Sequence, residues 1–199
     1  MKAYRDELLE IRPSFLLFLA AYYYFDPIHS FWPFLSAILA HEAGHLFMLV
    51  LFRVPVHRLR LSVGGAVIET VKTTYQQEVL IALAGPAMNL LLLATTSRYL
   101  PIFALVNLCL LLYNLLPFYP LDGGRMLRGI LRLQFSGKAA KVAEQCITLL
   151  GFLTLITAAG YLTFFWNAGW WPVILSISLC FRLAEASFSE NHEILRLSG

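Results

Sequence analysis

The sequence predicts an all-α membrane protein of about six transmembrane helices, with a small β-hairpin between the second and third. Three observations predict it. Hydrophobic types make up 59% of the 199 residues, above the roughly 45–50% of a soluble domain. Charged residues are only 14%, where about 25% is usual, so the chain lacks the polar surface that keeps a soluble domain in water. The apolar residues also fall into runs close to the length of about 20 that a helix needs to cross hydrocarbon. The same composition excludes disorder, a fibrous repeat and a disulfide scaffold. The three cysteines, Cys109, Cys146 and Cys180, lie in apolar stretches without metal-ligand spacing and read as small packing residues.

The first span is the short run 13–25, which closes on Tyr22, Tyr23 and Tyr24, an interfacial signature, and is completed by Leu8, Leu9 and Ile11. Basic residues ahead of a short apolar core also fit a signal peptide, but Tyr-Tyr-Tyr-Phe-Asp is no small-residue cleavage site, so the segment is expected to stay. The second span, 31–52, is interrupted only by His41, Glu42 and His45. Residues 61–69 carry β-branched side chains on both sides of Gly64-Gly65, which predicts a hairpin. Runs 79–97, 99–116 and 146–166 hold no charge apart from Arg98 between the first two, and 168–181 is a sixth span with Trp170 and Trp171 as interfacial anchors. The expected organisation is one polytopic domain over residues 1–199, with a core at 30–130 and accessory helices at 13–25 and 146–184.

The net charge is +3, and fourteen of the fifteen Lys and Arg fall in segments that six spans place on one side. Arg98 alone falls on the other. The positive-inside rule puts that side, with both termini, in the cytoplasm of a cell-membrane protein. The basic residues thus mark topology, and no nucleic-acid partner is expected. Reporter fusions at Ser136 should accordingly read as cytoplasmic and fusions at Arg98 as external; the reverse pattern refutes this orientation.

His41-Glu42-Ala43-Gly44-His45 is an H-E-x-x-H pattern near the middle of the second span. Chance yields such a match in about 0.7% of chains of this composition, and ionisable groups at that depth are costly enough that they are usually functional. On a helix, residues four apart share a face. Both imidazoles can then reach one zinc ion, with Glu42 on the adjoining flank to take a proton from water. A catalytic zinc needs a third protein ligand. His29, His57, His192, Glu69 and Glu78 lie at span ends, in the tail or by the inner loop. Asp122 stands out: it sits where two prolines and two glycines, within Asn114-Leu-Leu-Pro-Phe-Tyr-Pro-Leu-Asp-Gly-Gly-Arg125, break an apolar helix. Such a break at membrane depth is tolerated only where it lines an enclosed or wet cavity.

H-E-x-x-H in a span, Ala84-Gly-Pro-Ala-Met-Asn89 after it, and then the N-x-x-P-x-x-P-L-D-G-G-R run together resemble the site-2 protease family of intramembrane zinc metalloproteases. The likeness is nearest to its small six-span sporulation branch, which processes a membrane-associated pro-sigma factor. The resemblance implies one zinc ion per chain held within the bilayer by His41, His45 and Asp122, with Glu42 as catalytic acid/base. It implies a substrate-binding role for Asn114 and Asn89, and for the Gly64-Gly65 hairpin, whose edge could pair with an extended substrate. The implied substrate is a membrane-embedded or membrane-docked regulatory protein, with room for inhibitory or regulatory membrane partners. The CBS domain of the best-known sporulation enzyme has no counterpart in these residues, so direct nucleotide sensing is not expected. The alternative is a metal or ion transporter using intramembrane His, Glu and Asp. Internal repeats and a second set of polar residues along a path would mark one, and the sequence shows neither.

Overall fold

The computed structural model describes residues 9–26, 29–62, 65–71, 73–165 and Ser176. Two compact units make it up, Met1–Leu115 and Leu116–Gly199. The sixth expected span, 168–181, falls outside the described residues except for Ser176, as do Val63 and Gly64.

In the first unit, strand β1 (Leu9–Ile11) leads into helix α1 (Pro13–Phe25), with Pro13 at the first helical position, where its missing N–H costs nothing. Leu9 and Ile11 therefore do not lengthen the first helix as expected; they pair in a sheet. A three-residue strand carries too little alternation to be read from sequence. Helix α2 (Phe31–Leu51) follows a turn tied by Asp26, whose carboxylate accepts from the Phe31 N–H at 2.6 Å and the Ser30 hydroxyl at 2.9 Å. Carboxylate at a helix N-terminus is favoured by the exposed amides there. The far end closes in a Schellman pattern, with Arg53 N–H to Val50 O at 3.0 Å, Val54 N–H to Leu49 O at 2.9 Å, and Arg53 at φ +54°. Pro55 then keeps the chain extended.

Strands β2 (Val56–Ser62) and β3 (Gly65–Thr70) are antiparallel, and β1 joins β2 in parallel, giving the order β1-β2-β3. The hairpin expected at 61–69 is thus present and extends further back, to Val56. Its register settles which backbone groups face out. The closing pair is Ser62 with Gly65 across a two-residue connection, and the Arg12 N–H donates to Leu61 O at 2.9 Å, so the Leu61 carbonyl is turned toward the β1 side. Antiparallel pairs alternate between bonded and non-bonded. Arg60–Val67 is then a bonded pair, while Ala66 and Ile68 direct their N–H and C=O to the open edge of β3.

Helix α3 (Tyr75–Thr96) starts in a capping box: the Thr74 hydroxyl accepts from Gln77 N–H and the Gln77 side chain accepts from Thr74 N–H. Helix α4 (Pro101–Asn114) again opens on proline and stops before Pro117 and Pro120. In the second unit, helix α5 (Asp122–Gln134) begins immediately after that break, and α6 (Gly137–Phe165) follows. No helix was expected at α5. It is amphipathic, with Arg125, Arg128 and Arg132 at helical spacing on one face, and it hid in the sequence because Gly123-Gly124 reads as a turn. Phe118 is almost wholly buried and packs against Phe152 with ring centroids 5.1 Å apart, in space that Gly151 leaves open. Gly124 lets the first turn of α5 lie against the Phe118–Tyr119 backbone, which a Cβ would overlap. Arg128 bonds Glu144 at 2.7 Å and lies 3.9 Å over the Tyr119 ring, tying α5 to α6.

Among the described residues, α2, α3 and α6 are long and apolar enough to cross a membrane; α1 and α4 are shorter apolar helices. Large apolar side chains such as Leu17, Val50, Leu149 and Phe165 stand exposed, an arrangement suited to lipid and not to water. A proline test follows from the register. Val67→Pro should cost about 1 kcal/mol through a lost ladder hydrogen bond, whereas Ala66→Pro, at an outward N–H, should leave the melting transition in detergent near that of the parent. Equal destabilisation by the two prolines would contradict the register.

Candidate metal centre

His41 and His45 lie one turn apart on α2, both buried. Their rings meet edge to face with centroids 4.8 Å apart, and the two Nε2 atoms are separated by 3.2 Å. Two nitrogens bound to one zinc at about 2.0–2.1 Å in tetrahedral geometry would be about 3.3–3.4 Å apart. The pair therefore has the span of two corners of a zinc site, provided that each Nε2 carries a lone pair.

Hydrogen bonds on the opposite ring edges supply that condition. His45 Nδ1 lies 2.7 Å from the Ile81 carbonyl of α3. A carbonyl only accepts, so Nδ1 holds the proton and Nε2 the lone pair. His41 Nδ1 lies 2.5 Å from Asn89 Oδ1, Asn89 Nδ2 donates to Asn107 Oδ1 at 2.8 Å, and Asn107 Nδ2 donates to the Phe103 carbonyl at 2.8 Å. Read back from the carbonyl, each amide has one allowed orientation, and His41 too is protonated on Nδ1. Metal-binding histidines commonly have the second nitrogen held in this way.

Helix α3 is shaped to receive the rings. A Cβ on Gly85 would overlap His45 Nε2 and His41 Cε1, and one on Gly44 would fall 2.6 Å from the Ala84 carbonyl oxygen. Glycine at these two positions lets α2 and α3 approach to backbone contact, as small residues do between membrane helices. Pro86 has no N–H for the Ala82 carbonyl, and its ring crowds that turn. The Ile81 carbonyl that His45 meets lies one residue before Ala82.

The other expected residues are placed as follows. Glu42 is half-buried on α2, between the two histidines in sequence. Asp122 is buried at the first turn of α5 in the second unit, with Arg125 at 3.8 Å. Asn114 donates to the Leu110 carbonyl of its own helix at 3.1 Å. Asn89, expected to contact substrate, is fully buried, with its amide bonded to His41 and Asn107. Gly65 opens β3. His29 and His57 are exposed, away from the buried pair's environment. Asn107 was not singled out from sequence, although an amide in the middle of the uncharged run 99–116 is a signal in itself.

A buried pair of oriented imidazoles on a helix long and apolar enough to cross a membrane is a donor set suited to a metal ion. Residues 92–158 match the family model described as Peptidase family M50. Over 170 residues the chain is 28% identical to a zinc metalloprotease of Methanocaldococcus jannaschii, covering 74% of this chain and 50% of that protein. It is 32% identical over 106 residues to stage IV sporulation protein FB of Bacillus subtilis, covering 47% of this chain and 37% of the relative. The chain thus spans half or less of the length of these relatives. Its fold is similar to that of the site-2 protease from Methanocaldococcus jannaschii, with a TM-score of 0.63, 23% identity and 89% of each chain covered. The chain is thus similar to peptidase family M50 over residues 92–158 and to a site-2 protease in fold.

Gly85→Ala tests the receiving face of α3. The added methyl displaces the rings, so zinc content measured on purified protein should fall well below one per chain while helical content is retained. Full zinc occupancy in this variant would show that the imidazoles do not depend on the glycine.

Proposed function

We propose that the protein is an intramembrane zinc endopeptidase that cleaves a membrane-embedded or membrane-docked regulatory protein. The observation that carries it is the His41–His45 pair, with both Nδ1 atoms committed to acceptors and the two Nε2 atoms 3.2 Å apart. In this reading Asp122 is the third ligand. Its support is its burial, the donor chemistry that a carboxylate adds to two imidazoles, and the family motif at 114–125. The family match and the relatives' names do not favour the transporter alternative.

Zinc, when bound, supplies Lewis acidity that polarises a scissile carbonyl and lowers the pKa of a water toward ~7. Glu42, on the flank of the ligand helix, takes the proton from the attacking water and returns it to the leaving amine. His41 and His45 hold their orientation because their Nδ1 protons are engaged, so neither ring needs to reorganise during the reaction. A peptide bond in a helix is shielded, so the substrate must be extended at the site. The open edge of β3, where Ala66 and Ile68 present backbone donors and acceptors, can align an extended segment by strand addition. Gly64, Gly65 and Asn114 are proposed to contact the substrate.

Six spans, cytoplasmic termini and release of the product inward complete the proposal. A role in sporulation draws support from the relative named for it. Zinc content and hydrolysis of a membrane-tethered substrate, measured on the same preparations, test the assignment. Glu42→Gln should retain zinc and lose at least ~100-fold in rate. Asp122→Ala should lose zinc, whereas His29→Ala and His57→Ala should keep it. Undiminished hydrolysis by Glu42→Gln, or full zinc in Asp122→Ala, would overturn the corresponding role.

A further inference from the structure

We infer that Asn107 is a positioning residue for the metal centre, fixing through Asn89 the His41 tautomer that leaves Nε2 open to a metal; this rests on the zinc reading of His41 and His45. Asn107 is fully buried in the middle of α4, in a run of apolar side chains. A buried amide there is costly unless its groups are bonded. Joining helices is the bland explanation, but a contact that only joins them works with the amides in either orientation. Here the direction is imposed from one end. Asn107 Nδ2 is committed to the Phe103 carbonyl, which cannot donate, so Oδ1 faces α3. Asn89 must meet it with Nδ2, which leaves Asn89 Oδ1 for His41.

Without Asn107 nothing on this path distinguishes the two ends of the Asn89 amide. A flip would present Nδ2 to His41, Nδ1 would become the acceptor, and the ring proton would move to Nε2. No proton is gained or lost; it simply occupies the ligand position. Asn107 therefore acts on the metal site from two residues away, without touching metal or substrate.

Two measurements test this on the full chain in detergent. Competition with a chromogenic zinc chelator reads metal affinity, and nitrogen-15 NMR of labelled histidines in zinc-free protein reads the His41 tautomer. Wild-type His41 should carry its proton on Nδ1. Asn107→Leu should shift it toward Nε2 and weaken zinc binding by about 10–100-fold. Asn107→Asp, kept neutral by burial, can donate to Phe103 and accept from Asn89 as the amide does, and should stay close to wild type. Unchanged affinity and tautomer in Asn107→Leu, or equal loss in a folded Asn107→Asp, would overturn the inference. Should Asn107→Leu fail to fold, an Nε2-protonated His41 in the wild type overturns it without any variant. Wild-type protein that binds no zinc, yet shows the expected tautomer, overturns the metal reading and not the relay.

Discussion

The structure around His41 and His45 follows from one constraint: an imidazole N–H buried between apolar helices has no water to bond and must find an acceptor in the protein. Each ring has two nitrogens, and whichever edge is satisfied decides what the other can do. The Ile81 carbonyl and the Asn89 amide take the Nδ1 protons. Several features of α3 and α4 serve that geometry. Helix α3 must come within hydrogen-bond reach of α2, which requires small residues at Gly44 and Gly85. Its Ile81 carbonyl must lie within reach of His45 Nδ1. Asn89 needs a further partner, which α4 provides.

The same constraint explains why the metal motif was so legible and its support was not. Two histidines and a glutamate in an apolar run stand out because the cost of placing them there is large. Helices were legible from the apolar runs: 13–25 coincides with α1 to the residue, and 31–52 with α2 within one residue. Asn107 bears a smaller cost and belongs to no motif, and its value lies in its direction, which only the positions of Phe103 and Asn89 reveal. Strand β1 was misread as helix because Leu8, Leu9 and Ile11 are apolar whichever structure they adopt, and pairing with Leu59–Leu61 is a long-range choice. Helix α5 was missed because Gly123 and Gly124 argue locally for a turn; the reason for Gly124 is tertiary, the closeness of the Phe118–Tyr119 backbone.

A carboxylate is the common outer partner of a zinc-bound histidine, yet His41 is held by an amide. Charge supplies the reason. In the proposed site Asp122 and Glu42 bring two negative charges to one Zn²⁺, so the set is already balanced. Another carboxylate at position 89 would leave a net charge in surroundings of low polarity, where an uncompensated ion costs several kcal/mol. An amide can orient the ring without adding charge, but it has a weakness that a carboxylate lacks: its two ends are nearly the same shape and can exchange. The second amide and the Phe103 carbonyl remove that ambiguity, since a chain that ends on a pure acceptor has only one sense. In that reading the amide at position 89 adds no charge to the metal site, and Asn107 on α4 makes the tautomer unique, so the two conditions are met together.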